Sequence, residues 1–135
     1  MQVCFSSIVK GRDYSRNALA RIWGYKSFHA IARGVVTPLD HNKIIIFVTE
    51  TKQDSSVQYS DSLIGDVLHW EGPTDHFAEE RMLNAARAGD EIHLFYRRRH
   101  HTDFTYMGKL SVKEYSANST KPSSFTFLID ELVPS

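Results

Sequence analysis

An unbroken apolar run at residues 43–49, Lys-Ile-Ile-Ile-Phe-Val-Thr, constrains the fold more than any other part of this chain. Most of its side chains are β-branched or aromatic, which favours extended backbone over helix. Because consecutive positions are apolar, rather than alternate ones, both faces of the strand need a cover. The run therefore predicts a central strand that is buried on both sides.

Three shorter segments, at residues 32–36, 66–71 and 125–129, also have the composition of strands. Turn residues bound them, and in the second segment the period-two pattern puts Leu68 and Trp70 on one face. Two longer segments, at 91–97 and 104–112, alternate apolar and polar residues. Their short connection predicts a long hairpin with its tip at residues 98–103.

The helical patterns predict two short helices, over residues 15–23 and 75–88. Asp13 or Ser15 is available as the N-cap of the first helix, and Thr74 has the same role for the second. A glycine follows the last residue of each pattern, as is common at helix C-termini. Neither helix alternates regularly with strands, which argues against a parallel α/β fold.

Together these elements predict a single α+β domain over residues 1–135, with a mainly antiparallel, strongly bent sheet or a partly open β-barrel and two short helices. The hydrophobic content of 41% and the charged content of 24% are ordinary for a globular protein. Cys4 is the only cysteine, no segment approaches the ~18 apolar residues of a membrane span, and no secretion signal is evident. We expect a cytoplasmic protein without disulfides or a membrane partner.

The hairpin tip indicates the kind of partner. Its consecutive cationic or protonatable residues are Arg97, Arg98, Arg99, His100 and His101. Because the formal net charge of the chain is zero, such a local basic ridge can bind phosphate without general attraction to polyanions. Solvated loop surface is the alternative interpretation of these charges. Further cations extend the surface if the fold brings them near, namely Arg12, Arg16, Arg33 and Lys52.

Tyr59 and Asp61 supply a second indication, because they lie in a polar segment where an aromatic ring has no evident role in a core. Aromatic rings stack on unpaired bases, and a carboxylate accepts a hydrogen bond from the exocyclic amine of cytosine. Enzymes that act on a base in a duplex extrude it from the stack into a pocket, and a reader can hold a base in the same way. The pair is therefore a candidate site for an extruded cytosine.

Catalytic signatures are absent from the sequence: there is no nucleophile elbow, phosphate loop, His-Glu-x-x-His or His-Lys-Asp motif. His69 and His93 lie in apolar strands, where structural roles are expected. His100 and His101 are adjacent, so on extended backbone they cannot ligate one metal ion. We expect no catalytic residue, metal or cofactor, although a small metal-dependent nuclease using His93, His100 or Glu71 is an alternative.

The order of several short motifs resembles an uncharacterised domain family found at the C-terminal side of nuclease-helicase fusion proteins and in proteins that carry HNH nucleases. The motifs are residues 14–16, 23–25, 33–38, 46–49, 59–61, 69–72, 92–97 and 104–108. The resemblance implies a DNA-reading module of modification-dependent restriction systems, similar in role to the SRA and PUA-like barrels that recognise 5-methylcytosine or related bases. It places Tyr59, Asp61 and Trp70 at a base pocket, with Arg97 near a hairpin that contacts phosphate.

These observations predict a non-catalytic module that binds duplex DNA with a modified cytosine and directs a nuclease or helicase subunit to it. The residues predicted to contact the DNA backbone are Arg33, Lys52, Arg97, Arg98, Arg99, His100 and His101. A protein-interaction module that uses an exposed sheet edge or the helix at 75–88 is the main alternative.

Overall fold

The computed structural model describes residues 3–39, 41–51, 61–73, 75–117 and 122–130. Within these residues the strands are β1 (Asp13–Tyr14), β2 (Val35–Val36), β3 (Lys43–Thr51), β4 (Ser62–Ile64), β5 (Val67–Glu71), β6 (Glu91–Arg99), β7 (Phe104–Ser116) and β8 (Ser124–Ile129). The helices are α1 (Arg16–Ile22), α2 (Glu79–Leu83), α3 (Ala85–Ala88) and a 3-10 helix at Phe28–Ile31. Over the described ranges, none of these helices has the length and apolar character needed to cross a membrane.

The eight strands form one mixed sheet in the order β2-β3-β6-β7-β8-β5-β4, with β1 paired to β7. All neighbours are antiparallel except β3 and β6, which run parallel from Lys43 opposite Glu91 to Thr51 opposite Arg99. The end strands β2 and β4 do not pair with each other, so the sheet is not closed. The predicted fold class is confirmed, although the parallel pair was not predicted.

One face of the sheet curves around an apolar core, which we call the inner core. Ile46 of β3, Leu68 of β5 and Phe127 of β8 are fully buried in it. Three strands separate β3 from β5 in the sheet, and only a strongly bent sheet brings such distant strands into one core. Met82 and Ala85, from α2 and α3, complete the inner core.

The opposite face of β3, β6 and β7 is covered by the N-terminal part of the chain, which forms the outer core. The ring of Trp23 meets that of Phe95 edge-on at 6.2 Å between centroids, and Phe47 stacks on Phe95 at 5.2 Å. Residues 44–46 of β3 are fully buried. The prediction that this strand is covered on both faces is confirmed.

The first predicted helix is confirmed as α1, and Ser15 is its N-cap, since the Ser15 hydroxyl accepts a hydrogen bond from the backbone N–H of Ala18 at 3.0 Å. Trp23 follows the helix and donates its indole N–H to the carbonyl of Cys4 at 2.9 Å. Of the strand predicted at residues 32–36, only Val35–Val36 is a strand, β2, and the 3-10 helix at Phe28–Ile31 precedes it.

The second predicted helix is wrong in its start and in its continuity. The backbone at Ala78 is left-handed, with φ of 64°, so α2 begins only at Glu79. A break at Asn84 then separates α2 from α3, which ends at the left-handed Gly89 as expected. The proposed cap Thr74 lies outside the described residues. In place of two helices, the described residues form three short α-helices and one 3-10 helix.

The predicted hairpin is confirmed by β6 and β7, which pair with each other from Ile92 to Tyr96 of β6. Residues 98–103 lie beyond the last pair and form the hairpin tip, although β6 itself continues to Arg99. Below the tip, His93 is 2% exposed in the outer core. Its Nδ1 lies 2.7 Å from the hydroxyl of Tyr106, and its Nε2 lies 3.0 Å from a carboxylate oxygen of Glu91. Burial lowers the pKa of His93 to about 4, which fits a neutral, structural histidine.

Candidate nucleic-acid interface

A cavity of about 240 Å³, here called the β5 cavity, opens beside the end of β5. Its walls come from the loop before β2, from β3, from the residue before β4 and from the turn after β5. The lining residues are Arg33, Gly34, Val35, Phe47, Asp61, Trp70, Glu71, Gly72 and Pro73. Drug-sized ligands need roughly 300–1,000 Å³, so this cavity has room only for a smaller group.

Asp61 presents a buried carboxylate in the β5 cavity, with 8% of the residue exposed. Its Oδ1 accepts a hydrogen bond from the backbone N–H of Glu71 at 2.9 Å. The antiparallel register, with Ser62 opposite His69, brings the residue before β4 alongside the end of β5. The backbone of β5 therefore fixes the orientation of this carboxylate.

Trp70 also lines the β5 cavity, but most of its ring belongs to the inner core. The residue is 6% exposed, and its ring centroid lies 5.6 Å from that of Phe125 and 5.8 Å from that of Phe127. Such a ring forms a rigid wall rather than a mobile stacking platform. The structure thus brings Asp61 and Trp70 to one cavity.

Arg33 stands at the mouth of the same cavity, with 59% of its side chain exposed. Its Nη2 lies 3.3 Å from Oδ2 of Asp75, and its Cζ lies 4.5 Å from the ring centroid of Phe77. An ion pair this exposed contributes little to stability. The guanidinium can therefore exchange Asp75 for another anion at small cost.

A buried carboxylate behind the rim of the cavity was missed by the sequence analysis. Glu79 accepts hydrogen bonds from the hydroxyls of Ser123 at 2.8 Å and Tyr115 at 2.9 Å, and it contacts Nδ1 of His76. Burial opposes ionisation of Glu79, but these hydrogen bonds outweigh it and lower the pKa. The Ser123 carbonyl accepts from the N–H of Gly72 at 2.9 Å, so the cluster supports the cavity rim.

Ser123, His76 and Glu79 have the residue types of a hydrolytic triad but not its geometry. Both oxygens approach the same ring nitrogen, since Ser123 Oγ lies 3.4 Å from Nδ1 of His76 and Glu79 contacts Nδ1 as well. A triad requires the two different imidazole nitrogens. Among the residues that the structure describes, no group of three His, Cys, Asp or Glu side chains is placed to hold a metal ion.

Arg97 at the base of the hairpin tip is held by contacts within the protein. Its Nε donates to Oγ1 of Thr49 at 2.8 Å, its Nη1 donates to the carbonyl of Thr102 at 3.0 Å, and its Cζ lies 4.2 Å from the ring centroid of Phe104. Burial lowers the pKa of Arg97. These contacts join the tip to β3 and fix the direction of the guanidinium.

The next two arginines, Arg98 and Arg99, are exposed. Neither forms an ion pair with another described residue. His100 is half-buried, and the rings of His100 and His101 lie 5.6 Å apart. The backbone of His101 is left-handed, with φ of 66°, which turns the chain back toward β7. Arg98 and Arg99 are thus the tip cations most accessible to a ligand.

A second, larger cavity of about 560 Å³, the hairpin cavity, lies at the base of the tip. Its lining residues are Asp13, Leu63, Gly65, Tyr96, Arg97, Arg98, Thr102, Asp103, Thr105 and Met107. Two carboxylates, Asp13 and Asp103, reduce the positive potential there. Tyr96 also donates its hydroxyl to the carboxylate of Glu50.

The short strand β4 connects the two cavities. Asp61, immediately before β4, lines the β5 cavity, whereas Leu63 within β4 lines the hairpin cavity. Of the sequence-predicted residues, Arg33, Asp61 and Trp70 therefore meet in one cavity, and Arg97 and Arg98 border the other. Lys52 and Tyr59 lie outside the described residues.

Comparisons with known proteins place this architecture in a family. A family model for a domain of unknown function, DUF3427, matches residues 8–131. The chain belongs to the DUF3427 family. Comparison with curated proteins found no significant sequence match.

The DUF3427 chain is similar in structure to the SRA domain of SUVH5, which was crystallised with methylated DNA. The complex with hemimethylated CG DNA superposes with a TM-score of 0.62 at 14% identity, covering 100% of this chain and 95% of that one. The complex with methylated CHH DNA gives 0.61, at the same identity and coverage. The predicted resemblance to an SRA-like fold is confirmed, and at this identity the likeness concerns the fold alone.

Proposed function

We propose that this chain is a non-catalytic reader of duplex DNA that recognises a modified cytosine and directs a nuclease to it. The observation that carries the proposal is the meeting of Asp61, Trp70 and Arg33 in one small cavity of an SRA-like sheet. A buried carboxylate, a rigid aromatic wall and a cation at the mouth suit a planar polar group that carries a phosphate.

In the proposed complex the β5 cavity receives a cytosine extruded from the duplex. The Asp61 carboxylate accepts from the exocyclic amine of the base, which thymine lacks. The hydrogen bond from the backbone N–H of Glu71 holds this carboxylate in a fixed orientation. Extrusion costs a few kcal/mol of stacking and pairing, which contacts inside the cavity must offset.

Tyr59 completes the proposed site because it precedes Asp61 by only two residues in the chain. Its ring stacks on the extruded base, and such stacking contributes about 1–3 kcal/mol per base. Recognition of the added group on C5 of cytosine would then depend on the space that Tyr59 and Trp70 leave between them.

The DNA backbone is proposed to lie along the hairpin tip. Arg98 and Arg99 neutralise phosphates, assisted by His100 and His101, and Arg97 holds the tip in position while facing the same backbone. Arg33 exchanges Asp75 for a phosphate near the β5 cavity. Lys52 adds a further backbone contact. These contacts supply affinity without sequence information.

The partner that cleaves or unwinds the DNA is proposed to be a nuclease or helicase subunit or a linked domain, and the complex to act in the cytoplasm. The resemblance to modification-dependent restriction proteins motivates this part. Co-purification of the chain with such a partner, in the presence of modified duplex, tests it separately from DNA binding.

The decisive experiment titrates the protein with otherwise identical duplexes that contain cytosine, 5-methylcytosine, 5-hydroxymethylcytosine or a phosphorothioate, at two salt concentrations. We expect one modified cytosine to bind more tightly than cytosine, and all affinities to fall with salt. Equal binding of all four duplexes would contradict the base-reading role. Absence of any binding would favour a protein-interaction module, and cleavage on addition of a divalent metal would favour a nuclease.

A further inference from the structure

Two guanidinium groups from distant parts of the chain converge on one aromatic ring. The Cζ atom of Arg16 lies 4.9 Å from the ring centroid of Phe104, and that of Arg97 lies 4.2 Å from it. The two Cζ atoms are therefore no further apart than the sum of these distances. Arg16 also lies 4.5 Å from the ring of Phe47, which is a wall of the β5 cavity.

Among the described residues, no carboxylate forms an ion pair with Arg16 or with Arg97. Asp13 and Asp103 line the hairpin cavity beside Arg97, but Asp13 instead accepts from the hydroxyl of Thr105 at 2.6 Å. Burial, and then the charge of Arg97, lower the pKa of Arg16 to about 10. Two partly desolvated like charges repel each other, and an anion bound between them would offset this repulsion.

Hydrogen bonds hold both guanidinium groups in place and leave part of each available. Nε of Arg16 donates to the carbonyl of Ile31 at 3.0 Å, and Arg97 donates through Nε and Nη1 to Thr49 and Thr102. Within the described part of the chain, Nη1 of Arg16 and Nη2 of Arg97 form no hydrogen bond. Both side chains are half-buried, and the hydrogen bonds through the other nitrogens orient these donors in advance.

We propose that Arg16 and Arg97 together form a seat for a single phosphate of the DNA backbone, located between the β5 cavity and the hairpin tip. This inference rests on the function proposed above and adds Arg16 to the binding surface. The planar guanidinium is suited to paired hydrogen bonds with phosphate oxygens, and a phosphodiester supplies the negative charge that the pair lacks.

The test measures binding to unmodified and 5-methylcytosine duplexes over a range of NaCl concentrations for the wild type, Arg16→Gln and Arg97→Gln. Arg21→Gln is the matched control, since Arg21 is an exposed arginine of the same helix α1. We expect each seat variant to bind both duplexes at least about tenfold more weakly. The slope of log affinity against log salt should fall by about 0.9 for each lost phosphate contact, and Arg21→Gln should match the wild type.

The inference would be overturned if Arg16→Gln and Arg97→Gln both fold and both keep the wild-type slope of log affinity against log salt. If Arg16→Gln fails to fold by circular dichroism, Arg97→Gln still tests the seat from the other side. Arg16→Lys is a further check, because it keeps the charge but loses the planar fork. It should retain the salt slope and lose affinity.

Failure of the proposed function is distinguishable from failure of the seat. If the wild type binds DNA without preferring a modified base, the reader function fails, and the slopes on unmodified duplex still decide on the seat. If the wild type binds no DNA, the seat is tested by comparing the Tm of each protein in pyrophosphate with its Tm in NaCl of equal ionic strength. A rise in Tm with pyrophosphate in the wild type and Arg21→Gln, but not in Arg16→Gln, supports the seat, and any other pattern overturns it.

Discussion

The β5 cavity and the hairpin tip hold their polar groups in opposite ways. In the cavity, the Asp61 carboxylate is buried and fixed by the backbone of Glu71. At the tip, Arg98 and Arg99 are exposed, and among described residues no ion pair restrains them. A fixed, desolvated group can distinguish one base from another, whereas exposed charges attract any phosphate. Under the proposed function, substitutions in the cavity should alter base discrimination, and substitutions at the tip should alter general affinity.

Substitution of Trp70 gives the largest expected effect, because it breaks the cavity and the inner core together. Trp70→Ala should lower the free energy of unfolding by about 3–5 kcal/mol, since a nearly buried tryptophan is truncated. Urea denaturation measures the change. Leu39→Ala is the control, because Leu39 is 78% exposed and should cost less than about 0.5 kcal/mol. A mild effect at Trp70 would mean that its ring is not part of the core.

Acid should lower the stability of the protein through His93, which lies in β6 of the hairpin. The pKa of His93 is about 4 in the folded state and about 6.5 when unfolded, so only the unfolded state binds the proton between these values. Its contribution to stability is complete above about pH 6.5 and is lost as the pH falls toward 4, by roughly 3 kcal/mol. Urea denaturation between pH 7 and pH 5 should show the onset of this loss.

The control for this prediction is His93→Gln, which cannot titrate. It should lower stability at pH 7 and flatten the decline toward pH 5. An equal decline in both proteins would assign the acid sensitivity to other groups.

Asp61→Asn sharpens the comparison on the cavity side. The amide should lose about 1–3 kcal/mol of the preference for 5-methylcytosine over thymine at the target position, because thymine lacks the exocyclic amine from which the carboxylate accepts. Competition binding with duplexes that differ only in this base measures the preference, and the salt dependence should remain that of the wild type. Asp66→Asn, at an exposed turn residue, is the matched control and should change neither quantity.

Tyr59→Ala tests whether the ring next to Asp61 in the sequence belongs to the same site. We expect loss of up to about 1–3 kcal/mol of binding to modified duplex, with binding to unmodified duplex largely unchanged, because stacking and backbone contacts are separable. Fluorescence anisotropy on both duplexes measures this. Equal losses on the two DNAs would count against a stacking role.

The smallest effect on specificity and stability is expected at the tip. Replacing Arg98 and Arg99 by Ala should reduce the salt slope by about 0.9 per lost phosphate contact and leave the preference for modified cytosine unchanged. Stability should change by less than about 0.5 kcal/mol, because both side chains are exposed. Binding isotherms at several salt concentrations provide the measurement. A changed preference would show that the two regions are not independent.

Local patterns identified much of the fold. The β-branched run at 43–49, the alternation on either side of the hairpin tip and the Ser15 cap each depend on neighbours within a few residues, and the structure contains all three. The helix predicted at 75–88 was wrong in its start, although its apolar spacing is helical. The backbone at Ala78 is left-handed, next to the buried Glu79 cluster, so the helix begins only at Glu79.

The candidate site was predictable only in part. Asp61 and Trp70 could be named because a carboxylate and aromatic rings suit a base, but the sequence did not show that Arg33 shares their cavity. Glu79 had no sequence signal, since two of its hydrogen-bond partners lie 36 and 44 residues away.

By itself, the sequence determined six of the eight strands and the basic tip, because propensity, periodicity and charge are local properties, but it did not indicate the short strands β1 and β4. Tertiary structure alone decided that β3 runs parallel to β6, that β4 carries Asp61 to the end of β5, and that Arg16 meets Arg97 at one ring. Those contacts join segments far apart in the chain. Their geometry depends on strand register and sheet curvature, which only the packing of both cores fixes.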